Sequence, residues 1–299
     1  MTKNKIAEHF KTLQNTITKT MESADGKAVF QEDVWERQGG GGGQSRVIAN
    51  GNIIEKGGVN FSAVHGRLPE KIRTKLSLTC DEFFATGVSL IMHPENPHVP
   101  IVHMNVRYFE LKDGSYWFGG GIDLTPIYID EKEAAAFHLA LKEVCDKYHP
   151  EFYPKYKAWA DDYFFLSHRN ETRGVGGIFF DHLNESEGLN KKEILSFVLE
   201  IGHLFAPLYA GIMKEKVNKA FTEQEKDWQL HRRGRYVEFN LLHDKGTRFG
   251  IDTNGRSESI LVSMPPEVRW TYQYSIETGS PEENTLNLLK KGINWLQYI

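Results

Sequence analysis

The chain has 299 residues, 40% hydrophobic and 25% charged, with a formal net charge of −4. This balance fits a globular protein with a large core and argues against a general nucleic-acid binder, which normally carries a basic domain. Two cysteines, Cys80 and Cys145, without C-x-x-C spacing exclude a disulfide framework and a structural zinc site and fit a reducing compartment.

No apolar stretch approaches the length of a bilayer span, and residues 1–25 lack the apolar run or arginines of a targeting peptide. A cytoplasmic chain without an integral membrane segment is the expectation. Ile6, Phe10, Leu13 and Ile17 instead predict an N-terminal amphipathic helix docked on the body. Strand-like stretches follow: KAVFQEDVW, SRVIA, NIIEKGGVNF, FFATGVSLIMH, IVHMNVRYFEL and SYWFGGGIDLTPIY. Short turns join them, Asn50-Gly51 being a strong hairpin signal, so antiparallel pairing is predicted. Between the first two lies QGGGGGQSRV, with five glycines from Gly39 to Gly43. Such a run is either a flexible tether or main chain that comes close to a ligand; flanking strands bearing Trp35, Arg37 and Arg46 favour the second.

From Asp130 the texture turns helical. Asp130 and Glu133 form a capping box, followed by Ala134, Phe137, Leu141, Val144 and Tyr148 at helical spacing. A second helix covers KYKAWADDYFFLSHRN, and GVGGIFFDHL returns to strand. Asn190 and Glu193 open a third helix, which Pro207 is expected to kink or break. RYVEFNLLH reads as another strand, and residues 280–299 as a capped C-terminal helix. Strands followed by helices indicate an α+β fold, mainly antiparallel, in a single domain over residues 1–299.

Alternation along a strand projects His103, Asn105 and Arg107 to one face, and Val102, Met104 and Val106 to the other. Ser89, Ile91 and His93 share a face of the preceding strand. These rows are either a solvated sheet face or a site for an anionic ligand. Gly119 to Gly121 leave bare main chain ending in Asp123, which suits a flat ligand with N–H groups or else a distorted edge strand with a solvent-facing carboxylate. Arg173, Arg232, Arg233, Arg235, Arg248 and Arg256 all lie near glycines. Singly each reads as surface charge; together they point to a small polyanionic partner. H-E-x-x-H, G-x-S-x-G and Walker A patterns are missing, which leaves zincin, covalent-hydrolase and nucleotide readings without support. His149-Pro150-Glu151 reads as a helix end. His138 and His168, on predicted helices beside apolar residues, read as structural rather than ligating.

VWERQGGGGGQSRV, EKGGVNFSAVHG, HMNVRYFE, WFGGGIDLTP, HRNETRGVGGIFFD, RRGRYVEFNLLHDKGTRFG and NGRSESILVSMPPEVRW occur in that order over residues 27–272. In these motifs the chain resembles the oxygen-dependent coproporphyrinogen III oxidase family. The resemblance implies a large antiparallel sheet flanked by helices on both faces, and a homodimer using the RYVEFNLLH…MPPEVRW region. It also implies aerobic oxidative decarboxylation of two propionates of coproporphyrinogen III to vinyl groups in heme synthesis. Dioxygen is consumed, carbon dioxide and hydrogen peroxide are released, and no organic cofactor takes part. By motif, Asp123 would hold pyrrole N–H groups and His103 would be the proton donor. Ser89, Asn105, Val106, Arg107, Asn254, Gly255 and Arg256 would line the substrate pocket, although many members have Gly-Gly-Arg where this chain has Asn254-Gly255-Arg256. Bacterial members are assigned a divalent metal, manganese by expectation, at histidines that map to His93, His103, His138 and His168. A non-catalytic tetrapyrrole carrier and a metal-dependent oxygenase stand as the other readings.

Overall fold

The structure is a computed structural model, and it describes residues 1–68, 70–75, 80–252 and 255–299. Helix α1 (Lys3–Asp25) opens with the Thr2 side chain as N-cap and closes on Gly26 in the left-handed conformation. Its apolar stripe, Ile6, Phe10, Leu13, Ile17 and Met21, is fully buried, each side chain contributing about 1.5–3 kcal/mol of transfer free energy. Gln14 locks the register by donating its amide to the carbonyls of Gln44 and Val59.

Strands β1 (Gln31–Glu36), β2 (Gly41–Ala49) and β3 (Ile54–Arg67), then after α2 (Glu70–Lys75) strands β4 (Glu82–Pro94), β5 (Ile101–Leu111) and β6 (Tyr116–Thr125), pair antiparallel in sequence order. The glycine run is no tether. Gly40 and Gly41, with φ of 114° and 78°, make the tight return from β1, and Gly41 to Gly43 are strand residues of β2. The Trp35 ring lies where a side chain on Gly43 would go, within 2.4 Å of its missing Cβ.

Helices α3 (Glu131–Tyr148) and α4 (Phe152–Tyr163) follow. The chain then leaves helix for a two-residue hairpin, β7 (Phe165–Leu166) with β8 (Glu171–Thr172), so His168 lies in a turn and not on the expected longer helix. Strand β9 (Gly176–Leu183) completes the sheet beside β6, giving the order β1-β2-β3-β4-β5-β6-β9. Helix α5 (Lys191–Lys216), entered through an Asn190–Glu193 capping box, runs on as one helix through Pro207. By length and composition α5 is long and apolar enough to cross a membrane, a test that a buried core helix also passes. Here it turns Phe197, Val198, Ile201 and Phe205 into the core against α1 and the sheet.

RYVEFNLLH is helical rather than extended. It ends α6 (Glu223–Leu242), which starts at a Thr222–Glu225 capping box. A short apolar run does not declare its period when both sides are covered, and α6 buries residues all round, from Trp228 and Arg233 to Tyr236 and Phe239. Short helices α7 (Lys245–Asp252) and α8 (Ser257–Leu261) come next. The expected C-terminal helix is α9 (Pro281–Leu288) followed, after Gly292 at φ 78°, by a single 3-10 turn at Trp295–Tyr298.

The two faces of the sheet differ. Even-numbered residues of β4 to β6, such as Val88, Leu90, Val102, Met104, Val106, Phe118 and Ile122, form the main core with α1, α3, α4 and α5. The opposite face is covered at one end by α6, where Trp228 and Tyr236 meet Ile91 and Ile101, and Phe239 joins Phe179. α8 lies over β2 and β3, and Val262, just beyond it, fills the space above Gly58. Helices therefore stand on both faces, as the resemblance implies.

Candidate active site

Strand register builds the site. His103 on β5 stands opposite Asp123 on β6, Asn105 opposite Gly121, and Arg107 opposite Gly119. On the other side Ser89 of β4 pairs with Asn105, and Asn60 of β3 with Ser89. All project to the same face. Ser89 is solvent-exposed although β4 is the middle strand of seven, so the centre of this face is the floor of an open cleft.

At one end is a buried charge cluster. Asp123 takes a two-pronged ion pair from Arg173, Nη2 to Oδ1 at 2.7 Å and Nε to Oδ2 at 3.1 Å. The two side chains are 1% and 2% exposed. The Arg173 guanidinium sits 4.5–4.6 Å from the ring centroids of Phe164, Tyr236 and Phe239, and its Nη1 donates to Asn240 at 3.2 Å. Three aromatic faces around a cation replace part of the water it lost on burial. Burial alone raises the Asp123 carboxyl, but Arg173 and His103 outweigh it and hold the group below the ordinary carboxylate range.

An ionised Asp123 can only accept, and His103 Nδ1 lies 2.9 Å from its Oδ1. Nδ1 of the neutral ring therefore carries the hydrogen, and Nε2 carries the lone pair. The ring is half-buried, edge-on to Phe164, and among the described residues nothing pairs with Nε2. The cluster thus presents a basic nitrogen whose protonated form has a carboxylate behind it, the usual construction of a general acid–base group.

Asp123 lies in the expected place, but both oxygens are engaged by Arg173 or His103, so the group exposed to a ligand is His103. Arg173, read from the sequence as one of several anion binders, is an internal counter-ion; its buried position inside a T-R-G-V-G-G turn gives no periodic signal.

At the other end Arg107 donates to Asn105 Oδ1 at 3.0 Å and pairs with Asp181 at 3.0 Å, with side-chain exposures of 39% and 26%. Its guanidinium lies beside Gly119, where an added Cβ would come within 2.7 Å of Nε. At Gly119 the glycine platform is therefore occupied by the arginine, and at Gly121 by Phe179, rather than bare. Asp181 is a site residue that the sequence reading missed. Asp244, at the start of α7, is another; burial raises its carboxyl, but hydrogen bonds from Thr247 and Tyr163 hold it low.

Of the remaining predicted residues, Val106 turns its side chain into the main core, so only its main chain could meet a ligand. Arg256 precedes α8 and is paired with Asp33 of β1 at 2.5 Å. Gly255 is exposed. Asn254 lies outside the described residues. Ser259 of α8 bonds Ser45 at 2.8 Å and accepts from Asn60 at 2.7 Å through its carbonyl, tying α8 to the cleft's far wall.

The four-histidine metal site is not assembled within the chain. His138, in the core, uses both ring nitrogens, 3.0 Å from Tyr153 Oη and 3.0 Å from the Val175 carbonyl. His168 is bracketed by His243 and Glu238, and His93 contacts the Ser263 carbonyl. Burial and the nearby Arg233 charge push His93 down to about 3. Among the described residues no three His, Cys, Asp or Glu side chains are grouped as metal ligands.

The family model for coproporphyrinogen III oxidase matches residues 5–295. The chain belongs to the coproporphyrinogen III oxidase family. It is 46% identical over 298 residues to an oxygen-dependent coproporphyrinogen-III oxidase, chloroplastic, of Glycine max, covering 95% of this chain and 77% of the soybean protein. It is likewise 46% identical to coproporphyrinogen-III oxidase 1, chloroplastic, of Arabidopsis thaliana, covering 95% of this chain and 76% of that one.

Proposed function

We propose that the chain is an oxygen-dependent coproporphyrinogen III oxidase, an oxidoreductase that converts two propionates of coproporphyrinogen III to vinyl groups and yields protoporphyrinogen IX. Family membership supports the activity. The single structural observation that carries the reading is the His103–Asp123–Arg173 cluster opening onto a cleft floor that ends at Arg107.

In this reading His103 Nε2 takes a pyrrole N–H proton, and Asp123 stabilises the resulting imidazolium. Arg107 exchanges Asp181 for a propionate of the substrate; four residues of strand set it about 13 Å from His103, so the macrocycle spans the two. The deprotonated, electron-rich ring is the reductant for dioxygen. Each propionic acid side chain plus one O2 gives one vinyl group, one CO2 and one H2O2; the carboxyl carbon leaves with the oxygens it already carried. No organic cofactor is required for this balance. We also propose a homodimer. The exposed Leu241 and Leu242 at the end of α6, with Trp270 and Tyr272 nearby, support that reading.

Aerobic incubation with coproporphyrinogen III, with and without chelator, is the test. Oxygen uptake with CO2 release and protoporphyrinogen formation in both samples is the expected result. Binding without turnover would make the chain a carrier. Activity lost to chelator and restored by one ion would replace this scheme with a metal-dependent one.

A further inference from the structure

One feature of the cleft face is not used by this scheme. Beyond Arg107 the sheet carries a row of exposed and partly exposed rings, one from each of four neighbouring strands: Phe109 on β5 and Trp117 on β6 two residues along, Phe83 on β4 four along, and His182 on β9. The first three share the parity of Arg107 and Gly119, and Phe109 stands directly opposite Trp117. Centroids are 5.6, 4.5 and 5.0 Å apart, with interplanar angles of 6°, 24° and 29°. These spacings match the distance between strands, so each ring stands upright on its strand, faces its neighbour and turns its edge to the cleft. The Arg37 guanidinium caps the Phe83 end at 5.8 Å, and Leu68 and Leu111 are buried at the base.

Cross-strand aromatic pairs stabilise a sheet, but these rings remain open to the cleft, and ring edges are the positive part of an aromatic quadrupole. They suit the face of an electron-rich pyrrole bearing small apolar substituents, and the four rings lack the two-pronged cationic donor that holds a carboxylate. The rung beside them, Arg107 with Asp181, offers the opposite. We propose that the Phe83–Phe109–Trp117–His182 row is the subsite for the propionate-free edge of the macrocycle, the methyl- and vinyl-bearing pyrrole made in the first decarboxylation. Arg107 holds a remaining propionate while the row holds the new apolar edge, so the half-reacted molecule stays bound for its second turn. The proposal rests on reading the cleft as the tetrapyrrole site.

The test uses the full chain and its Phe109→Ser and Trp117→Leu variants. Anaerobic titration compares coproporphyrinogen III, with four propionates, against protoporphyrinogen IX, with two propionates and two vinyl groups. The row predicts at least a 10-fold weaker Kd for protoporphyrinogen and no more than a two-fold change for coproporphyrinogen. During aerobic turnover the free one-vinyl intermediate should rise at least five-fold relative to product, with the first decarboxylation within two-fold of wild type. Trp117→Leu keeps the site apolar and gives the readout if Phe109→Ser does not fold. Equal loss of affinity for both ligands, or an unchanged intermediate-to-product ratio, overturns the subsite while leaving the oxidase reading intact. Failure of the unaltered chain to decarboxylate coproporphyrinogen III at all would instead remove the reading on which the subsite rests.

Discussion

The arginine–aspartate pairs at the two ends of the cleft floor, Arg173–Asp123 and Arg107–Asp181, are built for different work. Arg173–Asp123 is dry, two-pronged and boxed by three rings; Arg107–Asp181 is a single contact with both partners wet. A buried pair gains little net stability over an apolar replacement, but removing one member strands a charge, at about 3–5 kcal/mol. An exposed pair is worth about 0–1 kcal/mol and exchanges readily. The first arrangement fixes the tautomer and orientation of His103. The second leaves a guanidinium that a substrate carboxylate can capture. Residue type alone does not separate them; burial does.

The largest expected effect comes from breaking the dry pair. Asp123→Ala or Arg173→Met should lower kcat by roughly 10³-fold or more. Either change should also destabilise the chain by about 3–5 kcal/mol in urea unfolding. Asp123→Ala is therefore not a silent active-site change, and a variant of native stability would show that the pair is wetter than its 1% and 2% exposures indicate. His103→Gln sharpens the contrast, because it removes the base and leaves the pair. Its kcat should fall about 10²-fold with the urea midpoint nearly unmoved; a normal kcat would take His103 out of the proton path.

Acid unfolding separates the pair from the buried neutral histidines. His93 and His138, pushed down to about 3 and about 4 by burial, stay neutral in the folded chain but charge below 6.5 once unfolded. Their folded values are depressed, so stability is full above pH 6.5 and falls as protons bind the unfolded state. The slope is about 1.4 kcal/mol per pH unit per ring, down to about 4 for His138 and about 3 for His93. Asp123, held below its ordinary value, adds its own loss of stability only as pH falls into the ordinary carboxylate range, where the unfolded chain protonates first. Urea midpoints between pH 7 and pH 5 should show the decline, and His93→Gln should flatten it; parallel curves for the two proteins would count against a neutral His93. Arg107→Ala, the smallest effect, should raise KM about 10-fold with stability changed by about 1 kcal/mol or less. Added salt should raise the unaltered chain's KM in the same direction.

Much of the fold was readable because β1 to β6 pair in sequence order, with tight returns everywhere except where α2 stands between β3 and β4, and alternation with such returns leaves few pairings open. The face bearing Ser89, His103, Asn105, Arg107 and Asp123 followed from period two alone. α6 was misread because a helix buried all round loses the 3.6-residue contrast that would have marked it. Pro207 failed to end α5, whose buried apolar flank packs on α1 and the sheet.

Local sequence thus determined which residues share the cleft face and, through whole motifs, which family the chain belongs to. It could not determine which carboxylate is spent internally. Asp123 and Asp181 are alike in type and lie on neighbouring strands, and only the arrival of Arg173, Tyr236 and Phe239 from distant segments excludes water from one of them. Dielectric environment is a property of everything packed around a charge, so the division between anchored and exchangeable ion pairs was made by the tertiary structure.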